Sequence, residues 1–131
     1  MIDEEELAHL VIGKSIEIHK TLGPGLSKEN YIECLKSELN DENIQFDSNI
    51  EQEVYYKDRI LPSGNPIDFL IEDMLIVNIV TESQIPEHEI QRTLKIVRSK
   101  DYRLGFVINF NSTLLKNGIR RVSNHKNVLP E

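Results

Sequence analysis

The pattern of apolar and polar residues predicts two helices in the first 40 residues. Apolar residues recur at helical spacing and predict a helix over about residues 3–21. The segment "LGPGL" ends it, because Pro24 cannot continue a helix and glycine permits backbone angles that other residues resist. Ser27 is then the predicted N-cap of a second helix, whose apolar face runs to about Asn40.

From Ile44 the period changes to that of β-strands. Four segments predict strands, "IQF", "IEQEVYY", "IDFLI" and "MLIVNIV". The turn-rich segment "KDRILPSGNP" predicts a connection between the second and third strands, and "ED" predicts a hairpin turn between the third and fourth. The last strand is apolar on both faces except for Asn78, so it should be fully buried with one polar side chain inside.

The remaining elements complete a mixed α/β fold. "PEHEIQRTLKIVRSK" predicts a helix with Pro86 in its first turn, and "LGFVINF" predicts another buried strand. "STLLKNG" is typical of a short helix closed by Gly118, and "IRRVSN" predicts an edge strand. This order of elements favours an α/β (α+β) mixed sheet flanked by helices.

Composition limits the domain organisation and the class of protein. A length of 131 residues fits one compact domain over residues 1–131, with a core over about residues 3–124 and a polar tail. No apolar run is long enough to cross a membrane, and the acidic start "MIDEEELAHL" is unlike a signal peptide, so a cytoplasmic protein is expected. The four histidines and Cys34 lack the spacing of zinc ligands.

Charge is divided unevenly along the chain. Residues 1–91 contain 6 Lys/Arg and 20 Asp/Glu, a net charge of −14, whereas residues 92–131 contain 9 and 2, a net charge of +7. The basic region, residues 92–126, is either a solvated surface that pairs with the acidic half or a surface for nucleic acid or an acidic partner. The nucleic-acid-binding candidates within it are Arg92, Lys95, Arg98, Arg120 and Arg121.

Four segments together resemble the GxxExxY family, a branch of the PD-(D/E)XK (restriction-endonuclease-like) nuclease superfamily. They are "HKTLGPGLSKENYIECLKSEL", "IDFLIEDMLIVNIV", "HEIQRTL" and "LGFVINFNSTLLKNGIRRVSN". The resemblance implies a restriction-endonuclease-like core in which an Asp ends one strand and Glu-x-Lys lies on the next. There, acids hold Mg²⁺ or Mn²⁺, and the lysine handles the attacking water.

Carried onto this chain, the resemblance predicts a degenerate site. The strand aspartate is Asp68, but the glutamate position holds Asn78 and the lysine position holds Val80. Gln91 matches a glutamine that many relatives have after the catalytic strand. The name motif begins at Gly25 and ends at Tyr31, with Lys28 in place of its glutamate.

Asn78 has two interpretations at this point. It is either what remains of a metal-binding glutamate, or a buried amide that pairs with Asp68, Gln91 or a backbone group and has no further role. A neutral amide beside Asp68 should hold a divalent cation poorly, so Asp68 is at most a weak metal ligand and no cofactor is expected.

A working site could still form from relocated residues. Glu82 could supply a second carboxylate from the end of the strand, and Lys95 lies one helical turn from Gln91 and could reach the same cleft. In that case the protein would be a nuclease that depends on Mg²⁺ or Mn²⁺. Otherwise it is a catalytically degenerate domain that binds nucleic acid, another protein or a second copy of itself.

Overall fold

The computed structural model describes residues 2–62 and 66–124. Two helices come first, α1 (Glu4–Leu22) and α2 (Lys28–Asp41), and a third, α3 (Glu87–Ser99), lies between the fifth and sixth strands. The strands are β1 (Phe46–Ile50), β2 (Glu53–Tyr56), β3 (Arg59–Pro62), β4 (Ile67–Ile71), β5 (Leu75–Val80), β6 (Leu104–Asn109) and β7 (Ile119–Ser123). A 3₁₀ turn, Leu115–Gly118, precedes β7.

The two predicted N-terminal helices are confirmed, and their ends follow from capping chemistry. Asp3 caps α1 by accepting a hydrogen bond from the Glu6 N–H at 2.8 Å, and the Glu6 carboxylate accepts from the Asp3 N–H at 3.1 Å. Gly23 ends α1 with φ of 68°, a left-handed value that glycine adopts without strain. Ser27 caps α2, as predicted, through the Asn30 N–H at 3.3 Å.

A five-stranded sheet forms the centre of the fold, in the order β1-β4-β5-β6-β7. β5 and β6 are parallel and are connected through α3, whereas all other neighbours in this sheet are antiparallel. The sheet is therefore mixed and flanked by three helices, which confirms the predicted fold class.

The helices cover opposite faces of this sheet, so alternate residues of β5 enter different cores. Leu75, Val77 and Ile79 pack in the cluster that contains residues of α1 and α2. Ile76 instead packs with Ile96 and Val97 of α3 in a smaller cluster on the other face. Every residue of β5 is buried, as its apolar pattern predicts.

The segment between residues 44 and 66 differs from the prediction. β1 is Phe46–Ile50 rather than "IQF", and the expected connection "KDRILPSGNP" is wrong in part because it contains β3. β3 pairs antiparallel with β2, and the pair forms a separate two-stranded hairpin. Lys57 turns this hairpin with φ of 56°. Among the described residues, no helix is long and apolar enough to cross a membrane.

Candidate functional site

Asp68 and Asn78 connect β4 to β5 by hydrogen bonds at the end where the backbone pairing of these two strands stops. The last backbone pair of β4 and β5 at this end joins Phe69 to Val77. Beyond it the Asp68 N–H donates to Asn78 Oδ1 at 3.0 Å, and the Ile79 N–H donates to Asp68 Oδ2 at 2.7 Å. Side-chain oxygens thus accept the N–H groups that the ladder would otherwise pair.

Asn78 is fully buried, and both ends of its amide are engaged. Besides accepting from the Asp68 N–H, its Nδ2 donates to Thr93 Oγ1 at 2.9 Å. The Thr93 hydroxyl in turn donates to the Glu89 carbonyl at 2.9 Å. The partners of Asn78 are thus a backbone N–H and a helix hydroxyl. Gln91, an expected partner, donates instead to Glu87 Oε2 at 3.1 Å on the exposed side of α3.

Lys28 supplies a positive charge beside Asp68. Its Nζ lies 3.2 Å from Asp68 Oδ2, and the Lys28 side chain is 37% exposed while that of Asp68 is 6% exposed. The Asp68 carboxylate is therefore held by a salt bridge and by the Ile79 N–H. Lys28 and Asp68 line a depression of about 360 Å³, whose other lining residues include Glu29, Glu33 and Lys36. We call it the Asp68 depression.

Val80 and Glu82 follow Asn78 but do not extend this cluster. Val80 is buried, and its carbonyl accepts from the Phe110 N–H at 3.1 Å. The backbone of Glu82 is fixed by Asn109, whose Oδ1 accepts from the Glu82 N–H at 3.1 Å and whose Nδ2 donates to the Glu82 carbonyl at 2.9 Å. The exposed Glu82 residue is thus anchored by its backbone at the end of β5.

Lys95 and Gln91 line a different concavity. Both are exposed on α3 and border a groove of about 810 Å³ between this helix and the β2–β3 hairpin. Asp68 lines the Asp68 depression and not this groove. The structure therefore does not bring Asp68, Glu82 and Lys95 together in one cleft.

Comparison with known families decides the assignment. A family model described as the PD-(D/E)XK nuclease superfamily matches residues 5–122. The chain belongs to the PD-(D/E)XK nuclease superfamily. No curated protein and no solved structure matches the chain. The match confirms the predicted resemblance at the level of the superfamily, and the GxxExxY branch stays a prediction.

Nucleases of the PD-(D/E)XK superfamily commonly use Mg²⁺ or Mn²⁺, and the residues of this member do not fit such an ion. Hard divalent cations prefer several anionic oxygens. At the four positions that the resemblance predicts for the catalytic groups, Asp68 is the only carboxylate. Its Oδ2 faces an ammonium, and Asn78 Oδ1 already accepts a hydrogen bond. Within residues 2–62 and 66–124 no group of three or more His, Cys, Asp or Glu side chains could hold a metal ion.

The basic residues of this superfamily member divide between the two faces of its sheet. Arg121 binds the α1 residue Glu5, with Nη2 at 2.6 Å from Oε2, and this hydrogen bond lowers the pKa of Glu5 and raises that of Arg121. Arg92 pairs with Glu89 at 3.3 Å on α3. Sequence reasoning grouped Arg92 and Arg121, but these two side chains lie on different faces and each has an acidic partner.

Three other basic residues remain available on the α3 side. Lys95, Arg98 and Arg120 are exposed, and none forms an ion pair within the described part of the chain. Arg120 precedes Arg121 on β7, so its side chain is directed to the face opposite that of Arg121. Lys126 and the polar tail lie outside the described residues.

The segment that resembles the GxxExxY motif has a structural role at its ends. Gly25 adopts φ of 107°, a value that favours glycine. The Tyr31 hydroxyl donates to the Gly23 carbonyl at 2.5 Å and accepts from the Leu26 N–H at 3.2 Å. The Tyr31 ring stacks on Phe110 with 4.6 Å between centroids. Tyr31 therefore fixes the turn that places Lys28 beside Asp68.

Proposed function

We propose that this chain is a catalytically degenerate PD-(D/E)XK domain that binds nucleic acid without cleaving it. The observation that carries the proposal is the Lys28 ammonium, 3.2 Å from the Asp68 carboxylate. A lysine at the motif's glutamate position removes one negative charge and adds a positive one next to the remaining acid. This charge reversal disfavours a divalent cation, on which phosphodiester hydrolysis in such folds depends.

Two further substitutions support the loss of cleavage. A glutamate at position 78 would offer a metal ligand, whereas Asn78 Oδ1 accepts a hydrogen bond from the Asp68 N–H. Val80, a buried apolar residue, has no group to orient or deprotonate a water molecule. The domain retains the fold because its core does not require the catalytic groups.

The exposed basic residues of the α3 side support nucleic acid as the partner. Lys95, Arg98 and Arg120 have no acidic partner among the described residues and can contact phosphates. The net charge of −7 opposes nonspecific binding over the whole surface, so contacts should concentrate on this side. A protein partner, or a second copy of the chain, is the alternative that the experiment below distinguishes.

The test combines cleavage and retention. Labelled single- and double-stranded DNA and RNA are incubated with the protein and Mg²⁺ or Mn²⁺, beside Asp68→Ala, and retention is measured on the same oligonucleotides. We expect retention without cleavage. Cleavage that Asp68→Ala abolishes would show an active site rebuilt from relocated residues and would refute the proposal. Absence of both cleavage and retention would refute the nucleic-acid partner and direct the search to proteins.

A further inference from the structure

We propose that the groove between α3 and the β2–β3 hairpin binds single-stranded nucleic acid, with Tyr55 stacking on a base and Lys95 contacting a phosphate. The groove lies apart from the Asp68 depression, since the two share no lining residue. This inference rests on the proposed function and adds to it a site and a class of ligand.

The groove is large enough for one nucleotide of a strand. Its volume of about 810 Å³ lies in the range of pockets that enclose organic ligands of several rings. One wall is α3, including Gln91, Lys95 and Ile96, and the other is the hairpin, including Gln52 and Tyr55. A base and its sugar-phosphate therefore fit between a helix and a strand.

Tyr55 provides the surface for stacking. It is 69% exposed although it is a large aromatic residue, and it lines the groove. Its hydroxyl donates to Glu53 Oε1 at 2.9 Å, which fixes the ring and raises the pKa of Tyr55. Ile60, its cross-strand neighbour, is 59% exposed and extends the apolar surface. Aromatic rings in grooves of single-strand-binding proteins stack on bases of any sequence.

The charges along the groove favour an anion at one end. Glu87 lies at the start of α3, whereas Lys95 lies two turns later and Arg98 follows it towards the end of the helix. Lys95 and Arg98 form no ion pair among the described residues, so their charges are available to phosphates. Glu53 and Glu87 also line the groove, and their carboxylates disfavour a phosphate next to them. A phosphate should therefore lie beside Lys95.

The ligand is specified as a single strand because of the way Tyr55 would contact it. Stacking on Tyr55 requires a base whose face is uncovered. In a duplex each base is paired and stacked between its neighbours, and exposing it costs free energy.

The test measures binding of fluorescein-labelled single-stranded DNA and RNA of about 16 nucleotides by anisotropy in EDTA, with the matching duplexes in parallel. We expect Tyr55→Ala to weaken single-strand binding by about 5-fold or more. Lys95→Ala should weaken it too and reduce the slope of log K against log salt by about 0.7.

Two matched variants serve as controls. Tyr56→Ala removes an equally large side chain, 57% exposed, from the opposite face of the same strand. Lys20→Ala removes the same charge from α1, on the other side of the sheet. Both should leave the affinity unchanged.

The outcomes separate this inference from the proposed function. Retention of oligonucleotides that is equal for the native protein, Tyr55→Ala and Lys95→Ala overturns the groove site and leaves the proposed function intact. Cleavage dependent on Asp68 overturns the proposed function alone, since the groove can bind in either case. Preference for the duplex, or binding of no oligonucleotide, overturns the groove site as well.

Discussion

Asn78 joins a strand to a helix through two hydrogen bonds, and this is its role at the residue scale. Its Oδ1 accepts from β4 and its Nδ2 donates to Thr93 of α3. The bonds cross a face of the sheet that is otherwise apolar, where Ile76 and Val97 pack. An unsatisfied group at this depth would cost more than the hydrogen bond itself contributes.

Replacing Thr93 by valine tests this chain of hydrogen bonds. Valine keeps the shape of threonine but removes the acceptor of Asn78 Nδ2, so we expect Thr93→Val to lower the free energy of unfolding by about 1–3 kcal/mol. Thr21→Val is the control, because the Thr21 hydroxyl donates to the Glu17 carbonyl on an exposed part of α1. It should cost less than about 0.5 kcal/mol in urea denaturation. Equal losses would contradict the role given to Asn78.

Lys28 should stabilise the fold more than a surface lysine does. Breaking a fully buried ion pair costs about 3–5 kcal/mol, and an exposed pair contributes about 0–1 kcal/mol. Lys28 is partly exposed and Asp68 keeps the Ile79 N–H, so we expect Lys28→Met to cost about 1–2 kcal/mol.

Lys36→Met is the matched control for Lys28→Met on the same helix. Lys36 pairs with Glu33, whose side chain is 72% exposed, at 3.2 Å. This substitution should cost about 0.5 kcal/mol or less in the same denaturation experiment. In an Asp68→Asn background the cost of Lys28→Met should fall. A cost that stays the same in that background would show that Lys28 does not act through Asp68.

At the scale of elements, an ion pair ties the first helix to the last strand. Arg121 of β7 donates to Glu5 of α1 and lowers the pKa of that carboxyl from 4.5. Because the pKa is lower in the folded state, the stabilisation is present above 4.5 and is lost as pH falls through the folded pKa. Arg121→Gln should therefore raise the pKa of Glu5 towards 4.5 in a carboxyl NMR titration, whereas Arg120→Gln should not. An unchanged pKa would contradict the pairing.

The sequence predicts the helices of this fold better than its strands. Helix α2 follows from its Ser27 cap and its apolar spacing, and both are local signals. In β1 the inward residues Phe46, Ser48 and Ile50 include only two apolar ones, so the alternation is weak. β3 ends in Pro62, and proline predicts a connection unless a partner strand is known.

The candidate site was only partly predictable for the same reason. The burial of Asn78 follows from the apolar run around it, but Lys28 and Asp68 are 40 positions apart and meet only when α2 packs on the sheet. The opposite orientation of Arg120 and Arg121 could have been predicted from the sequence, because consecutive residues of a strand point to opposite faces of the sheet. The groove could not be predicted, because it depends on where the β2–β3 hairpin lies relative to α3, and no local sequence pattern specifies that position.

At the scale of the whole molecule, the fold should be independent of divalent metal. Adding Mg²⁺ or Mn²⁺ to the native protein should leave its melting temperature unchanged, because Asp68 stands alone with Lys28. The variant Lys28→Glu, Asn78→Glu, Val80→Lys places charged groups in a cleft without their counter-ion. We expect its melting temperature without metal to fall by more than about 5 °C.

Metal should then restore part of that loss. Mn²⁺ binds the folded variant through its new carboxylates and Asp68, and so should raise its melting temperature. The same variant with Asp68→Asn is the control and should respond less. If Mn²⁺ raised the melting temperature of the native protein as much as that of the variant, Lys28, Asn78 and Val80 would not be what prevents metal binding.

The contact between Lys28 and Asp68 also means that each molecule of this protein carries its own cation beside the Asp68 carboxylate. A bound metal ion dissociates on dilution, exchanges with competing ions and is removed by chelators, so its occupancy follows its supply. The Lys28 ammonium is covalently part of the chain and lies 3.2 Å from the Asp68 carboxylate. Its stoichiometry is fixed at one, and its effective concentration does not depend on the solution. The cation of the Asp68 depression is therefore supplied by the chain itself and does not have to be acquired from the solution.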